Sequence, residues 1–223
     1  MVSHSNIHYI EGKNVGVNKN YELLLNTAKE HNSNYIMLCD QDDIWLQNKI
    51  EITKSIMSDL ELKYTKNCPL LAYTSRQYVT EDNRNIDYES GYYTDDLWSL
   101  LATNNIFGCT MMFNNILLDK LTPIPDYIKV YDYWIALNAA LYGYIKHSEI
   151  KTIRYRQHSN NVTSGMRQFS IISKISNFKR DNDVYLTNIK QNYLFCINQN
   201  KLQPSKTLQK FMLIIESSPI KRL

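Results

Sequence analysis

Asp40, Asp42 and Asp43 crowd three carboxylates into the run Asp40-Gln41-Asp42-Asp43-Ile44-Trp45. They follow residues 35–39, a continuous apolar stretch of the kind expected from a parallel strand covered on both faces. Open α/β sheets bind their ligands at the carboxyl ends of strands. Carboxylates this close repel and raise one another's pKa values unless a cation intervenes, and Mg²⁺ or Mn²⁺ prefers hard oxygen donors of this kind. A helix N-cap also accounts for an acidic run, although Asp43 alone would suffice and Asp40 and Asp42 would then be spare. Both readings stand on these residues alone.

The elements that must position the carboxylates follow from periodicity. Residues 7–10 read as a short strand, closed by the turn residues Gly12, Asn14 and Gly16. Tyr21, Leu24, Leu25 and Ala28 then recur at helical spacing, which predicts a helix over 18–31 lying on a core. Trp45, Ile52, Ile56 and Leu60 predict another over 45–62, started by the acidic run. Residues 70–74 and 108–113 read as strands, 80–96 as a polar surface loop, 131–143 as a helix and 144–155 as a strand. Residues 166–218 read as mostly helical, divided near Asp181 and Pro204. The alternation predicts an α/β domain over 1–165 followed by a helical region over 166–223, the boundary lying near Gly165.

Charge divides at the same place. Residues 1–165 carry 15 basic and 19 acidic side chains, whereas residues 166–223 carry 10 and 3. The basic tail therefore suits an anionic surface such as membrane lipid, or else is a solvated helical appendage, while no recognisable nucleic-acid-binding motif accompanies it. At 223 residues, with 43% hydrophobic and 21% charged, the chain can bury a core without staples, which excludes disulfide scaffolds and disordered classes. Cys39, Cys68, Cys109 and Cys196 form no CxxC pair, so buried free thiols are expected in place of a zinc site. No apolar run is long enough to span a membrane and the opening residues lack a secretion-signal layout, so a cytoplasmic protein is expected. The Asn161-Val162-Thr163 sequon accordingly carries no weight, and the abundance of tyrosine decides nothing alone.

Several spaced segments carry a resemblance: Asn14-Val15-Gly16 through Asn20, YIMLCDQDDIWLQNKI, NNIFGCTMMFN, YDYW and YRQHSNNVTSG. In this order they are similar to bacterial family 2 glycosyltransferases, of the rhamnosyltransferase type, over about residues 7–165. The resemblance implies a GT-A fold, a Rossmann-like mixed sheet. It implies inverting transfer of a sugar from a nucleoside-diphosphate donor, dTDP-rhamnose for this branch, to a hydroxyl on a lipid-linked or polysaccharide acceptor. Asp40-Gln41-Asp42 matches the DxD motif, with Asp42 ligating Mg²⁺ or Mn²⁺, Asp40 nearer the donor and Asp43 capping a helix. The ion would neutralise charge on the departing diphosphate. Asn14 and Gly16 fall on the donor side. Asp132 matches the general base that takes the acceptor proton, or else caps a helix. His158 matches a position facing metal and diphosphate, and Arg156 could pair with phosphate oxygens. Gly108, Cys109 and Thr110 match the floor of the acceptor pocket, where glycine admits close approach, or are an ordinary strand. Trp45 and Trp134 offer ring faces to a sugar, or pack in the core.

Two departures qualify the resemblance. The family usually places His-Asp where this chain has Tyr131-Asp132. The family's first strand, helix and second strand, which hold the nucleoside, have no counterpart, since residues 7–10 match its third strand. A truncated reading frame with little or no transferase activity is the resulting expectation, and a non-catalytic remnant or partner-binding module is the alternative to an enzyme.

Overall fold

The computed structural model describes residues 7–87, 93–157 and 171–218. The element order is α1 (Val17–Glu30), β1 (Tyr35–Met37), β2 (Ile44–Trp45), α2 (Lys49–Tyr64), β3 (Leu70–Thr80) and α3 (Leu97–Ala102). A 3₁₀ turn (Gly108–Thr110) leads into β4 (Met111–Asn114), α4 (Asn115–Leu118), α5 (Tyr131–Tyr142), β5 (Tyr144–Gln157), α6 (Ile171–Leu202) and α7 (Lys206–Ser217). The five strands form one mixed sheet in the order β1-β4-β3-β5-β2. β3 and β5 run parallel, and every other pairing is antiparallel.

β3 is the axis of the molecule and is buried along nearly its whole length. Side chains alternate across a strand, so its successive residues feed two different cores. Leu70 and Ala72 join Ile56, Met57 and Leu60 of α2 on one face. Leu71 and Tyr73 join Phe113 and the apolar sides of α1, α3, α4 and α5 on the other. That second core also takes Ile189, Phe195 and Cys196 from α6 and Leu208, Phe211 and Ile215 from α7. The basic C-terminal helices thus pack into the same apolar cluster as the sheet. Asn192 of α6 fastens them, its Nδ2 donating to the Leu101 carbonyl at 2.8 Å and to the Tyr133 hydroxyl at 2.6 Å.

Local chemistry fixes the element ends. α1 begins at Gly16, whose φ of 91° is left-handed backbone that glycine adopts without strain. Asp96 caps α3 by accepting the Ser99 N–H at 2.9 Å. Asn114 caps α4 from the Leu117 N–H at 3.1 Å, and the same oxygen accepts the Leu70 N–H, tying β4 to β3. α5 ends at Gly143, where an added Cβ would stand 1.7 Å from the Pro69 carbonyl oxygen.

Five expectations are corrected. Residues 7–10 form no strand: they pair with no strand among the described residues, and Ile7 and Tyr9 are 67% and 86% exposed. The strand after α1 is not parallel. It pairs antiparallel with β4 at the edge of the sheet and ends at Met37, which leaves Cys39 exposed and not buried. The acidic run does not start a helix, because Ile44 and Trp45 pair with Arg154 and Ile153 of β5, and α2 begins only after Asn48. α6 runs unbroken past Asp181, and the division comes only around Pro204. Residues 108–110 are a 3₁₀ turn ahead of β4 and not strand. The proposed boundary at Gly165 lies outside the described residues, as does the sequon.

Candidate active site

The loop between β1 and β2 and the 3₁₀ turn before β4 meet above the sheet. Ligand atoms of Asp40, Asp43 and Cys109 all lie within 4.8 Å of one another. Asp40 leaves the end of β1 and accepts the Tyr21 hydroxyl of α1 at 3.0 Å. Tyr21 is itself stacked on Tyr131, the first residue of α5, with ring centroids 3.4 Å apart. Asp43 accepts the backbone N–H of Arg156 at 3.1 Å, and its other oxygen, Oδ2, is buried with no hydrogen-bond partner. Asp43 therefore anchors the loop to β5 and caps nothing, a second correction to its expected role.

Asp132 enters from the first turn of α5 and accepts the Gly108 N–H at a long 3.4 Å. The turn carrying Gly108 is pressed against α5: a Cβ on Gly108 would stand 2.6 Å from the Tyr131 hydroxyl oxygen. Glycine is required here for approach to Tyr131. Three carboxyls are consequently drawn from water in one place. Burial pushes Asp132 up to about 7, with Asp40's charge adding to it and the Gly108 and Tyr133 N–H groups and Arg76 opposing. Burial likewise pushes Asp43 to about 6 and raises Asp40, where Asp42's charge contributes. Burial also lifts the Cys109 thiol well above its ordinary range, with the Asp43 and Asp40 charges adding to it.

Hard carboxylate oxygens, one of them buried and unpartnered, suit a divalent cation such as Mg²⁺ or Mn²⁺. Asp42 is half-buried in the same loop, but its carboxylate is not one of the three closely grouped ligands. Cations surround the group. Arg76 of β3 is buried with its guanidinium 3.5 Å from the Phe107 ring centre, its charge reaching Asp132. Lys49 is fully buried, its Nζ 3.5 Å from the Thr152 hydroxyl and 5.0 Å from the centre of the Trp45 ring, and burial lowers its pKa.

The remaining expected site residues divide. Arg156 reaches the carboxylates through its backbone on β5. Asn14 is exposed, and Gly16 lines a shallow cavity of about 210 Å³ with Asn18, Ile124 and Asp126 at the start of α1. His158 lies outside the described residues. Thr110 and Trp134 are corrected as acceptor contacts. Thr110 is fully buried, its hydroxyl donating to the Phe107 carbonyl, and Trp134 is 3% exposed, its indole N–H donating to the Leu121 carbonyl. Neither presents a surface to a sugar. Trp45 packs in a small cluster with Tyr78, Cys109, Ile153 and Tyr155 beneath the carboxylates.

Three residues near the carboxylates escaped the sequence reading as site residues: Tyr21, Arg76 and Lys49. Only Lys49 left a signal, since it is a charged residue on the apolar stripe running from Trp45 through Ile52, Ile56 and Leu60. Comparison of the chain with protein-family models and with curated proteins returned no match.

Proposed function

We propose that the protein is an inverting, metal-dependent glycosyltransferase of the GT-A type. It moves a sugar, rhamnose being the first donor to test, from a nucleoside diphosphate to a hydroxyl of a lipid-linked or polysaccharide acceptor. The observation that carries this reading is the convergence of the Asp40–Asp43 loop and the sequence-distant Asp132 on the turn Gly108–Thr110. The order of motifs along the chain and the mixed sheet, with β4 antiparallel between β1 and β3, support it as well.

Asp132 is the base. Its carboxyl, pushed to about 7, holds a mixed population of acid and carboxylate near neutrality, where a general base works best. It takes the proton of the acceptor hydroxyl, whose oxygen attacks the anomeric carbon while the bond from that carbon to the diphosphate breaks. The Gly108 N–H holds the carboxylate in place. A divalent ion held by Asp40 and Asp43 would supply charge neutralisation for the departing diphosphate. In this reading the Arg156 guanidinium pairs with phosphate oxygens. Asn14 and Gly16 stand at the α1 N-terminus, where N–H groups favour anions. In this reading the protein works in the cytoplasm at the inner face of the cell membrane, where lipid-linked acceptors are presented.

The test is release of nucleoside diphosphate, with product identified by mass spectrometry. The assay uses Mn²⁺, a panel of nucleotide sugars and a lipid-linked acceptor. The 223-residue chain and a version preceded by a family-like strand-helix-strand segment are assayed together. Asp132→Asn is expected to lower turnover by about 10²- to 10⁴-fold with donor binding unchanged. Release from neither chain with any donor overturns the reading in favour of a non-catalytic partner-binding module.

A further inference from the structure

α7 buries one side and leaves the other open. Leu208, Phe211 and Ile215 enter the main core. Lys206, Lys210, Leu213 and Ile214 lie at i, i+4, i+7 and i+8, which places them along one outward stripe about 12 Å long. Leu213 and Ile214 are 65% and 46% exposed, although neighbouring apolar residues of the same helix are buried. Trp98 of α3 extends the stripe. Its ring is 41% exposed, meets Phe211 edge-on at 6.4 Å and carries the Lys210 Nζ 5.0 Å from its centre. The patch thus combines an exposed tryptophan, two adjacent aliphatic side chains and two lysines.

Lys206 and Lys210 make no salt bridge among the described residues. The only acid on α7, Glu216, accepts the Tyr193 hydroxyl at 2.8 Å. Beside Trp98, the carboxylate of Asp96 is held by Ser99, and Asp95 is exposed. In sequence, residues 166–223 carry 10 basic against 3 acidic residues, the reverse of the acidic remainder.

We propose that the outer face of α7, with Trp98, docks on the anionic surface of a lipid bilayer. The patch matches what an interface requires. Tryptophan belongs at the boundary between headgroups and acyl chains. Leu213 and Ile214 enter the acyl edge, while the lysine heads remain with the phosphates. Charge complementarity selects an anionic membrane over a neutral one, and each lysine contributes on the order of fivefold in partition. The surface shares no residue with the carboxylate cluster, so the inference holds whether or not the protein transfers sugar.

The experiment sediments the full chain with phosphatidylcholine vesicles and with mixed phosphatidylglycerol and phosphatidylcholine vesicles, at low and high salt. Binding is expected only to the anionic vesicles and is expected to fall as salt rises. Tryptophan emission should shift to the blue on binding in the parent and not in Trp98→Phe. Lys206→Gln with Lys210→Gln should lose on the order of thirtyfold in partition. Leu213→Ser with Ile214→Ser should lose about tenfold or more. All five positions are exposed, and an unchanged urea midpoint certifies that each variant is folded. Equal binding to neutral vesicles, or none to anionic vesicles at low salt, overturns the proposal. So does binding abolished by soluble glycerol phosphate, which marks a free-anion site, or concentration-dependent self-association removed by the apolar double variant, which marks a protein contact.

Discussion

Asp132→Asn should stabilise the protein at neutral and alkaline pH, and the effect should vanish in acid. The structure holds this carboxyl at about 7, against an ordinary 3.8, chiefly by burial. An acid whose pKa is raised by folding is charged first in the unfolded chain, so folding becomes less favourable as pH rises above 3.8 and the loss levels off above about 7. A shift of this size corresponds to about 4 kcal/mol as a ceiling. Asparagine removes the charge while keeping an oxygen for the Gly108 N–H, so most of the effect is open to recovery. Coupling to Asp40 reduces what one substitution recovers, and a gain of about 1 to 3 kcal/mol is expected at pH 8. Urea unfolding followed by tryptophan emission, from pH 4.5 to 8.5, reads it directly. Parent stability should decline across that interval while the variant's declines less. A variant destabilised equally at both ends, or a parent flat between pH 5 and 8, would refute the argument that these carboxyls are held out of water.

Gly143→Ala is expected to destabilise by more than the ~1–3 kcal/mol of ordinary overpacking, because its Cβ meets a backbone carbonyl at 1.7 Å; a thermal melt or the soluble yield checks it. Asp43→Asn should weaken Mn²⁺ binding at least about tenfold in paramagnetic broadening, since it halves the carboxylates in the close group; equal affinity would remove Asp43 from any ion site. Tyr21→Phe should cost about 1 kcal/mol or slightly more through loss of the hydrogen bond to Asp40, read by urea midpoint, with the fold retained by circular dichroism.

Sequence periodicity reveals α1 well because one helical stripe carries its buried residues Tyr21 and Leu25. The end of β3 was illegible for the opposite reason. Residues 75–77 are Ser, Arg and Gln, polar types that suggest a loop, yet the strand continues because Arg76 lies on the Phe107 ring and pairing with β5 persists to Thr80. β2 was misread because a strand of two residues has no period, and only its partner Ile153–Arg154 on β5 defines it. The carboxylates were visible as a local run, but which of them meet was not. Asp43 turns towards the Arg156 N–H, a contact set by where β5 ends and not by neighbouring residues. Tyr21 was legible as a core residue and illegible as the donor that orients Asp40, since that role depends on a loop brought over α1 by the sheet.

The long parallel pairing of β3 with β5 dictates how this chain must emerge from a ribosome. β3 is made early, yet its partner arrives only after α3, β4, α4 and α5 have been synthesised, and Thr80 finds Gln157 last along that ladder. Even then Trp134 awaits Phe195, and the main core awaits Phe211 and Ile215 near the end of the described chain. Vectorial synthesis therefore offers no early resting point: a nascent chain halted before α6 exposes the apolar side of α5 and has no later helix to cover it. Such chains are natural clients for holding chaperones and proteases, so nonsense mutations well downstream of the carboxylates should deplete the protein as completely as mutations within them.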